Sequence, residues 1–343
     1  MTEKKRSSLN RSEILFLDNK IKEQCPLLLF GSSLDIIAEM VYNYFVGKFY
    51  ANFREDIMRF YTVEKNGKQI IAALHKSGKL LRVNNFADMN SLIENITDEQ
   101  MKQLKNACED DNASGLLSFD EVKMCAPIPV PKQDLVCLGV NYSEHIEETK
   151  HIESFADKTD TVYFAKRANY AIGDGGFIPD YDFVDSLDYE VELGVIIGKD
   201  CKNVSEKDAQ DYIFGYTIVN DISGRNMQFK HKQWFFGKSL DGYTAIGPCI
   251  VTADEIGDIN SLKISCSVNG ELRQNSNTSL MITKVSEAIS ELSRGFALKS
   301  GTIISTGTPG GVALGANPPI WLKSGDEVVC EIEKIGKLRN IVS

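Results

Sequence analysis

The stretch that decides the fold reads Asp188-Tyr189-Glu190-Val191-Glu192-Leu193-Gly194-Val195. Side chains of an extended strand alternate between two faces. Tyr189, Val191, Leu193 and Val195 therefore point into apolar packing, while Asp188, Glu190 and Glu192 share the other face. Carboxylates on one face repel one another unless a positive charge sits among them. By itself the pattern fits either a solvated strand face or a site for a hard divalent cation, Mg²⁺ or a relative, which takes oxygen ligands.

Outward from this strand, short β-like runs dominate: 136–140, 162–165, 215–220, 263–268, 302–305 and 327–333. Helical interludes are few, near 205–212 and 283–293, so a mixed or antiparallel β-rich body is expected rather than a doubly wound sheet. The run Ala126-Pro127-Ile128-Pro129-Val130-Pro131 suits neither a helix nor a central strand, because each proline lacks an N–H donor and restrains its predecessor. It divides the chain into an N-terminal α+β unit, 1–125, and a body, 126–343.

In the N-terminal unit, Leu34, Ile37, Met40, Val41, Tyr44 and Phe45 recur at helical spacing and predict an amphipathic helix over 34–45. Three runs at 59–64, 69–74 and 79–83, punctuated by Asn66-Gly67 and Ser77-Gly78, predict an antiparallel meander. Thr97 followed by Gln100 predicts a capping box at the start of a helix over 97–107.

Four further features carry chemistry. The strand 215–220 ends in Asn220-Asp221, which brings a third carboxylate out at a strand end; an Asx-turn or helix cap explains Asp221 equally well. His145 and Glu148, three apart after Asn141-Tyr142, share a helix face. The acid can hold one ring nitrogen and leave the other as a general base, though an acidic helix start also fits. His75, His151 and His231 read as surface or packing residues. Lys238 in Phe236-Gly237-Lys238-Ser239 invites a phosphate-loop reading, but Lys232 stands where that loop needs glycine. The lysine then suits either a solvated turn or a partly buried cation facing a developing oxyanion. Last, Ser305-Thr306-Gly307-Thr308-Pro309-Gly310-Gly311 is a glycine-rich turn whose N–H groups and hydroxyls can hold a small carboxylate, or simply connect two elements.

Composition restricts the partners. The chain has 343 residues with 38 Lys+Arg against 48 Asp+Glu, a formal charge of −10, and 43% hydrophobic residues. That is ordinary for a globular protein and a poor electrostatic match to a nucleic-acid backbone. The eight cysteines show no metal or redox spacing and read as scattered, reduced, mostly buried thiols. The first residues lack the apolar run of a signal peptide, and the most apolar stretch, 25–53, is interrupted by Asp35, Glu39 and Lys48, so neither export nor a membrane span is expected. A cytoplasmic protein is the expectation.

Together and in order, these motifs resemble those of the fumarylacetoacetate hydrolase family. The resemblance runs from about residue 126 to the C-terminus. It rests on Gly139-Val140-Asn141-Tyr142 with His145 and Glu148, Phe164-Ala165-Lys166, 188–192, Asn220-Asp221-Ile222-Ser223 with Arg225 and Gln228, 237–241 and 305–309. It implies an α+β, β-rich roll, usually a homodimer, with Mg²⁺ or Mn²⁺ held by Glu190, Glu192 and Asp221 and with Asp188 behind them. It also implies a small 2-oxo or 2,4-dioxo acid as substrate. A lid over about 144–158 would carry the His–Glu pair. The larger eukaryotic namesake has a further aspartate ligand upstream of its histidine, which 136–140 does not supply; that departure points to the smaller bacterial-type branch.

The activity this implies is hydrolysis of a C–C bond in an acylpyruvate-type acid. His145, backed by Glu148, would activate water; Lys238 and Gln228 would face the oxyanion, and Thr308, Arg225 or Lys166 the substrate carboxylate. Decarboxylation of a 2-oxo diacid and isomerisation of a dienoate are the alternatives on the same scaffold. A non-catalytic metal- or metabolite-binding protein is the alternative of another class. Residues 1–125 carry no motif of the family and are expected to be structural or oligomer-forming.

Overall fold

The computed structural model describes residues 58–150 and 160–343. The helix expected over 34–45, Cys25, His151 and the end of the expected lid lie outside them.

The chain enters through an antiparallel meander of β1 (Arg59–Lys65), β2 (Lys68–Leu74) and β3 (Leu80–Arg82). Lys65 pairs with Lys68, and Asn66 and Gly67 between them both take positive φ, as a two-residue hairpin on a right-twisted ribbon requires. Two helices follow, α1 (Met89–Asn95) and α2 (Asp98–Cys108). At α2 the Thr97 hydroxyl accepts from Gln100 N while the Gln100 side chain accepts from Thr97 N, the expected capping box. The strand β4 (Lys123–Met124) returns to pair with β1.

Past the prolines come β5 (Leu135–Gly139), α3 (Ser143–Thr149), β6 (Val162–Lys166), β7 (Phe177–Ile178), β8 (Leu187–Asp188) and β9 (Val191–Ile197). Next are β10 (Ile213–Asp221), β11 (Ser223–Gly224), α4 (Arg225–Lys230), α5 (Phe235–Lys238), β12 (Thr244–Thr252) and α6 (Ala253–Ile256). The chain ends with β13 (Lys263–Val268), β14 (Glu271–Asn277), α7 (Val285–Gly295), β15 (Ile303–Ser305), β16 (Glu327–Ile332) and β17 (Gly336–Val342).

These strands make a mixed α+β, β-rich fold. The larger sheet has the order β3-β2-β1-β12-β10-β9-β15-β5-β6, antiparallel except where β15 runs alongside β5. The second sheet has the order β14-β13-β16-β17-β7. The larger sheet is continuous across the proline stretch, because β1 pairs with β12 through Phe60 and Ile250.

The alternation expected on the acidic strand holds. Tyr189, Val191, Leu193 and Val195 are buried in one cluster with Ile264, Cys266, Val328 and Cys330 of the second sheet. Deleting one such side chain, as in Leu193→Ala, costs about 2–5 kcal/mol. The opposite face is not solvated: Asp188, Glu190 and Glu192 are all buried. Six of the seven described cysteines are buried and all seven are free thiols. Among the described residues no helix is long and apolar enough to cross a membrane.

Candidate metal centre

The centre is built by the register of two strands. Glu192 of β9 stands opposite Val219 of β10, and Val191 opposite Asn220, so Asp221 comes level with Glu190 and donates its N–H to the Glu190 carbonyl at 2.9 Å. Glu190 and Glu192, two apart, already share a face. The carboxylates of Glu190, Glu192 and Asp221 thereby converge, with one oxygen from each lying within 4.8 Å of the others. The strand gives way at 189–190, and the N–H groups there turn to side chains: Tyr189 N to Asp188 Oδ1 (2.8 Å), Glu190 N to Asn220 Oδ1 (3.0 Å) and Val191 N to Gln274 Oε1 (3.1 Å). Asp188 stays behind the cluster, accepting also from the N–H groups of Ala313 and Leu314.

Such a concentration of buried carboxylate charge needs cations. Lys238 places Nζ 2.7 Å from both Glu190 Oε2 and Asp221 Oδ2 and 3.0 Å from Ser223 Oγ, which uses all three of its hydrogens. Arg225 joins Asp188 Oδ2 (2.8 Å) to Glu190 Oε1 (2.6 Å). Lys166 donates to Asp221 Oδ1 (2.5 Å) and to the Ile222 carbonyl (3.1 Å). Four carboxylates thus face three cations. Burial works against ionisation of Glu190, but Lys238 and Arg225 outweigh it and hold the carboxyl at about 2. Among the described residues no cation contacts Glu192; burial and then the charges of Asp221 and Glu190 push it up to about 8. Its Oε2 accepts from Ser305 Oγ (2.6 Å) and Gly307 N (2.8 Å). Three converging carboxylates, one of them short of positive charge, form an all-oxygen donor set that suits a hard divalent cation.

His145 and two of these carboxylates, Glu190 and Glu192, line one cavity. His145 on α3 is buried, its Nδ1 is 2.8 Å from Glu148 Oε1, and Glu148 Oε2 accepts from Gly311 N at 2.8 Å. A Cβ at Gly315 would lie 2.3 Å from that same oxygen, so the loop closes on the carboxylate only with glycine there. The turn from β5 into α3 bends at Val140, whose φ of 59° is costly for a β-branched residue and is of the kind found at functional sites. The cavity is small and partly open to solvent. It is lined by the polar His145, Glu190, Glu192, Gln228, Lys238 and Thr308 together with Leu138, Gly139, Val140, Phe164 and Trp234, and Lys238 Nζ lies 5.3 Å from the centre of the Phe164 ring.

Residues 134–343 match the family model described as fumarylacetoacetate (FAA) hydrolase C-terminal. The chain belongs to the fumarylacetoacetate hydrolase family. It is 43% identical over 243 residues to the oxaloacetate tautomerase YisK of Bacillus subtilis, spanning 70% of this chain and 80% of that protein. Among solved structures it is similar to a fumarylacetoacetate hydrolase from the psychrophile Exiguobacterium antarcticum, with TM-score 0.69 and 33% identity, covering 83% of this chain and 99% of the other. A 2-hydroxyhepta-2,4-diene-1,7-dioate isomerase from Mycobacterium marinum superposes with TM-score 0.63 at 29% identity, over 83% and 98% of the two chains.

Within this family fold, two expected substrate contacts find other places. Lys166 and Arg225 are buried behind the carboxylates and do not line the cavity, because their charges are taken up by Asp221, Asp188 and Glu190. Thr308 lines it, but its hydroxyl donates to the Val191 carbonyl and accepts from Gln274. Gln228 differs: Arg225 fixes its Oε1 at 3.0 Å, and its buried Nε2 has no partner among the described residues. That amide is a donor presented by a residue of the cavity wall. Sequence reasoning missed Ser305, Asn220 and Gln274 as individual contributors. Asn141, legible only as part of the 139–142 motif, has a side chain that bonds Thr283 N, Thr283 O and Thr306 O and ties the His145 turn to the Gly307 loop.

Proposed function

We propose that the protein is a divalent-metal-dependent enzyme that moves a proton next to the carbonyl of a small 2-oxo acid, interconverting the keto and enol forms of an oxaloacetate-type acid. The observation that carries this reading is that His145, backed by Glu148, lines the same cavity as Glu190 and Glu192 of the Glu190–Glu192–Asp221 cluster. The likeness to a named oxaloacetate tautomerase supports the same chemistry.

In this reading Glu190, Glu192 and Asp221 hold Mg²⁺ or Mn²⁺. The cation, when bound, supplies Lewis-acid polarisation of the 2-oxo acid head. His145 takes the proton from the carbon beside the carbonyl and returns it to the enol oxygen, while Glu148 steadies the imidazolium that forms. Gln228 Nε2 donates to a substrate oxygen, and Lys238 offsets the negative charge that develops on the enolate. Thr308 acts through the Val191 carbonyl it holds.

The same pair can deprotonate water, which keeps C–C hydrolysis of a 2,4-dioxo acid as the second reading. With Mg²⁺ present, the purified protein should speed the decay of the ultraviolet enol absorbance of oxaloacetate, and His145→Ala should abolish the effect. Cleavage of acetylpyruvate without any effect on oxaloacetate would instead select the hydrolase. Inertness toward both would overturn the catalytic reading and leave a binding protein. We also propose a cytoplasmic homodimer whose catalytic unit spans 126–343, with 1–125 serving structure or assembly; sedimentation of the full chain tests the dimer.

A further inference from the structure

The largest apolar side chain lining the cavity arrives from an irregular turn. Between α4 and α5 the chain passes through Lys232 at φ 58° and delivers Trp234 to the wall, 9% exposed. Its ring meets Phe164 edge-on, with centroids 5.1 Å apart and planes at 74°. It also lies against the end of β5 so closely that a Cβ on Gly139 would stand 2.2 Å from the ring. Gly139 is thus the residue that lets the indole seat there. Val312 and Leu314, from the loop that also presents Gly311 to Glu148, close the same small cluster. The indole is wedged between a strand, a loop and an aromatic neighbour, so it forms a fixed wall rather than a mobile flap.

The groups that recognise an oxo-acid head, His145, Gln228 and Lys238, line the same cavity as Phe164 and Trp234. With its head on those polar groups, a bound acid has the apolar lining, Phe164 and Trp234 included, left for its remaining substituent. We propose that Trp234 is a specificity-determining residue that sets the length of substituent the enzyme accepts on a small 2-oxo acid, favouring short ones. The proposal rests on the 2-oxo acid reading above. Hydrophobic walls discriminate by about 10- to 200-fold per methylene that fits or fails to fit, so replacing the indole should reshape the profile by at least that lower factor.

The test uses binding, which needs no turnover. Oxamate and its N-methyl, N-ethyl and N-propyl derivatives present a planar oxo-acid head with a growing tail. Their affinities for the full-length, Mg²⁺-loaded protein are measured by calorimetry. For the unaltered protein affinity should fall as the tail lengthens. In Trp234→Ala the propyl-to-parent affinity ratio should rise at least 10-fold. Trp234→Phe, which keeps an aromatic against Phe164, should fall between and covers the case in which the alanine variant does not fold. An unchanged ratio in the folded variants, with oxamate still bound, overturns the proposal and leaves the 2-oxo acid reading standing. Failure of oxamate to bind any form overturns that reading and the proposal with it.

Discussion

His145 Nδ1 lies 2.8 Å from Glu148 Oε1, and the two residues sit one helical turn apart on a helix of only seven residues. The second oxygen of Glu148 is held by Gly311 N, so the carboxylate is fixed from both ends. Glu148→Gln keeps the size of the side chain and removes the charge that steadies an imidazolium. We expect kcat to fall on the order of 100-fold with little change in KM, as for loss of general-base support. Steady-state kinetics on oxaloacetate enol decay measures it, and an equal rise in KM instead would place Glu148 in substrate binding.

Glu192 supplies a pH signature in the metal-free protein. Its carboxyl titrates near 8 in the fold, against 4.5 ordinarily. Between those values the native state holds a proton that the unfolded chain has released. This contribution to stability is present below about 4.5 and is lost as pH rises through about 8. Glu190, held at about 2, changes nothing in that window. Melting temperature without metal should therefore drop toward pH 8, and Glu192→Gln should flatten the drop while abolishing stabilisation by Mg²⁺. A variant that melts with the original pH slope would refute this.

Lys166→Met separates the two demands on Asp221. The substitution keeps an apolar stem but leaves a fully buried carboxylate with one cation fewer. Metal-free stability should fall by about 3–5 kcal/mol, the scale for breaking a buried pair. The rise in melting temperature on adding Mg²⁺ should be larger than in the unaltered protein, since less positive charge opposes the ion. Denaturant titrations with and without Mg²⁺ read both effects.

Gln274→Leu tests support from the second sheet. The glutamine satisfies Val191 N and bonds Thr308 Oγ1 and the Pro309 carbonyl, all buried. Leucine would orphan the Val191 N–H at a cost of about 1–3 kcal/mol. Mg²⁺ affinity should weaken as well, because the bond holds the backbone between Glu190 and Glu192. Unchanged affinity in a destabilised variant would confine Gln274 to stability.

What could be read beforehand follows from the range of each interaction. The alternation over 188–195, the Asn66-Gly67 hairpin and the Thr97 capping box are local, and all three stand in the fold. Strands β12 and β14 were not foreseen: Gly247-Pro248 reads as a break, and Glu271–Asn277 is almost wholly polar. Opposite Gly247 the ladder shifts register between Tyr216 and Ile218, which accommodates the missing donor. Among the site residues the face shared by Glu190 and Glu192 was legible because a strand period determines it, whereas the convergence of Asp221 on them was expected only from the family resemblance. The places of Lys166 and Arg225 were not, since their partners lie 55, 37 and 35 residues away.

Three successive N–H groups at 189–191 are held by side chains and not by a neighbouring strand. The acid-bearing backbone therefore hangs on exchangeable parts at 188, 220 and 274. A lineage, or a designer, can re-aim Glu190 by altering those three positions while every rung of the surrounding ladder stays in place. The carboxylate geometry can drift toward a different cation or a different reaction without the fold having to drift with it.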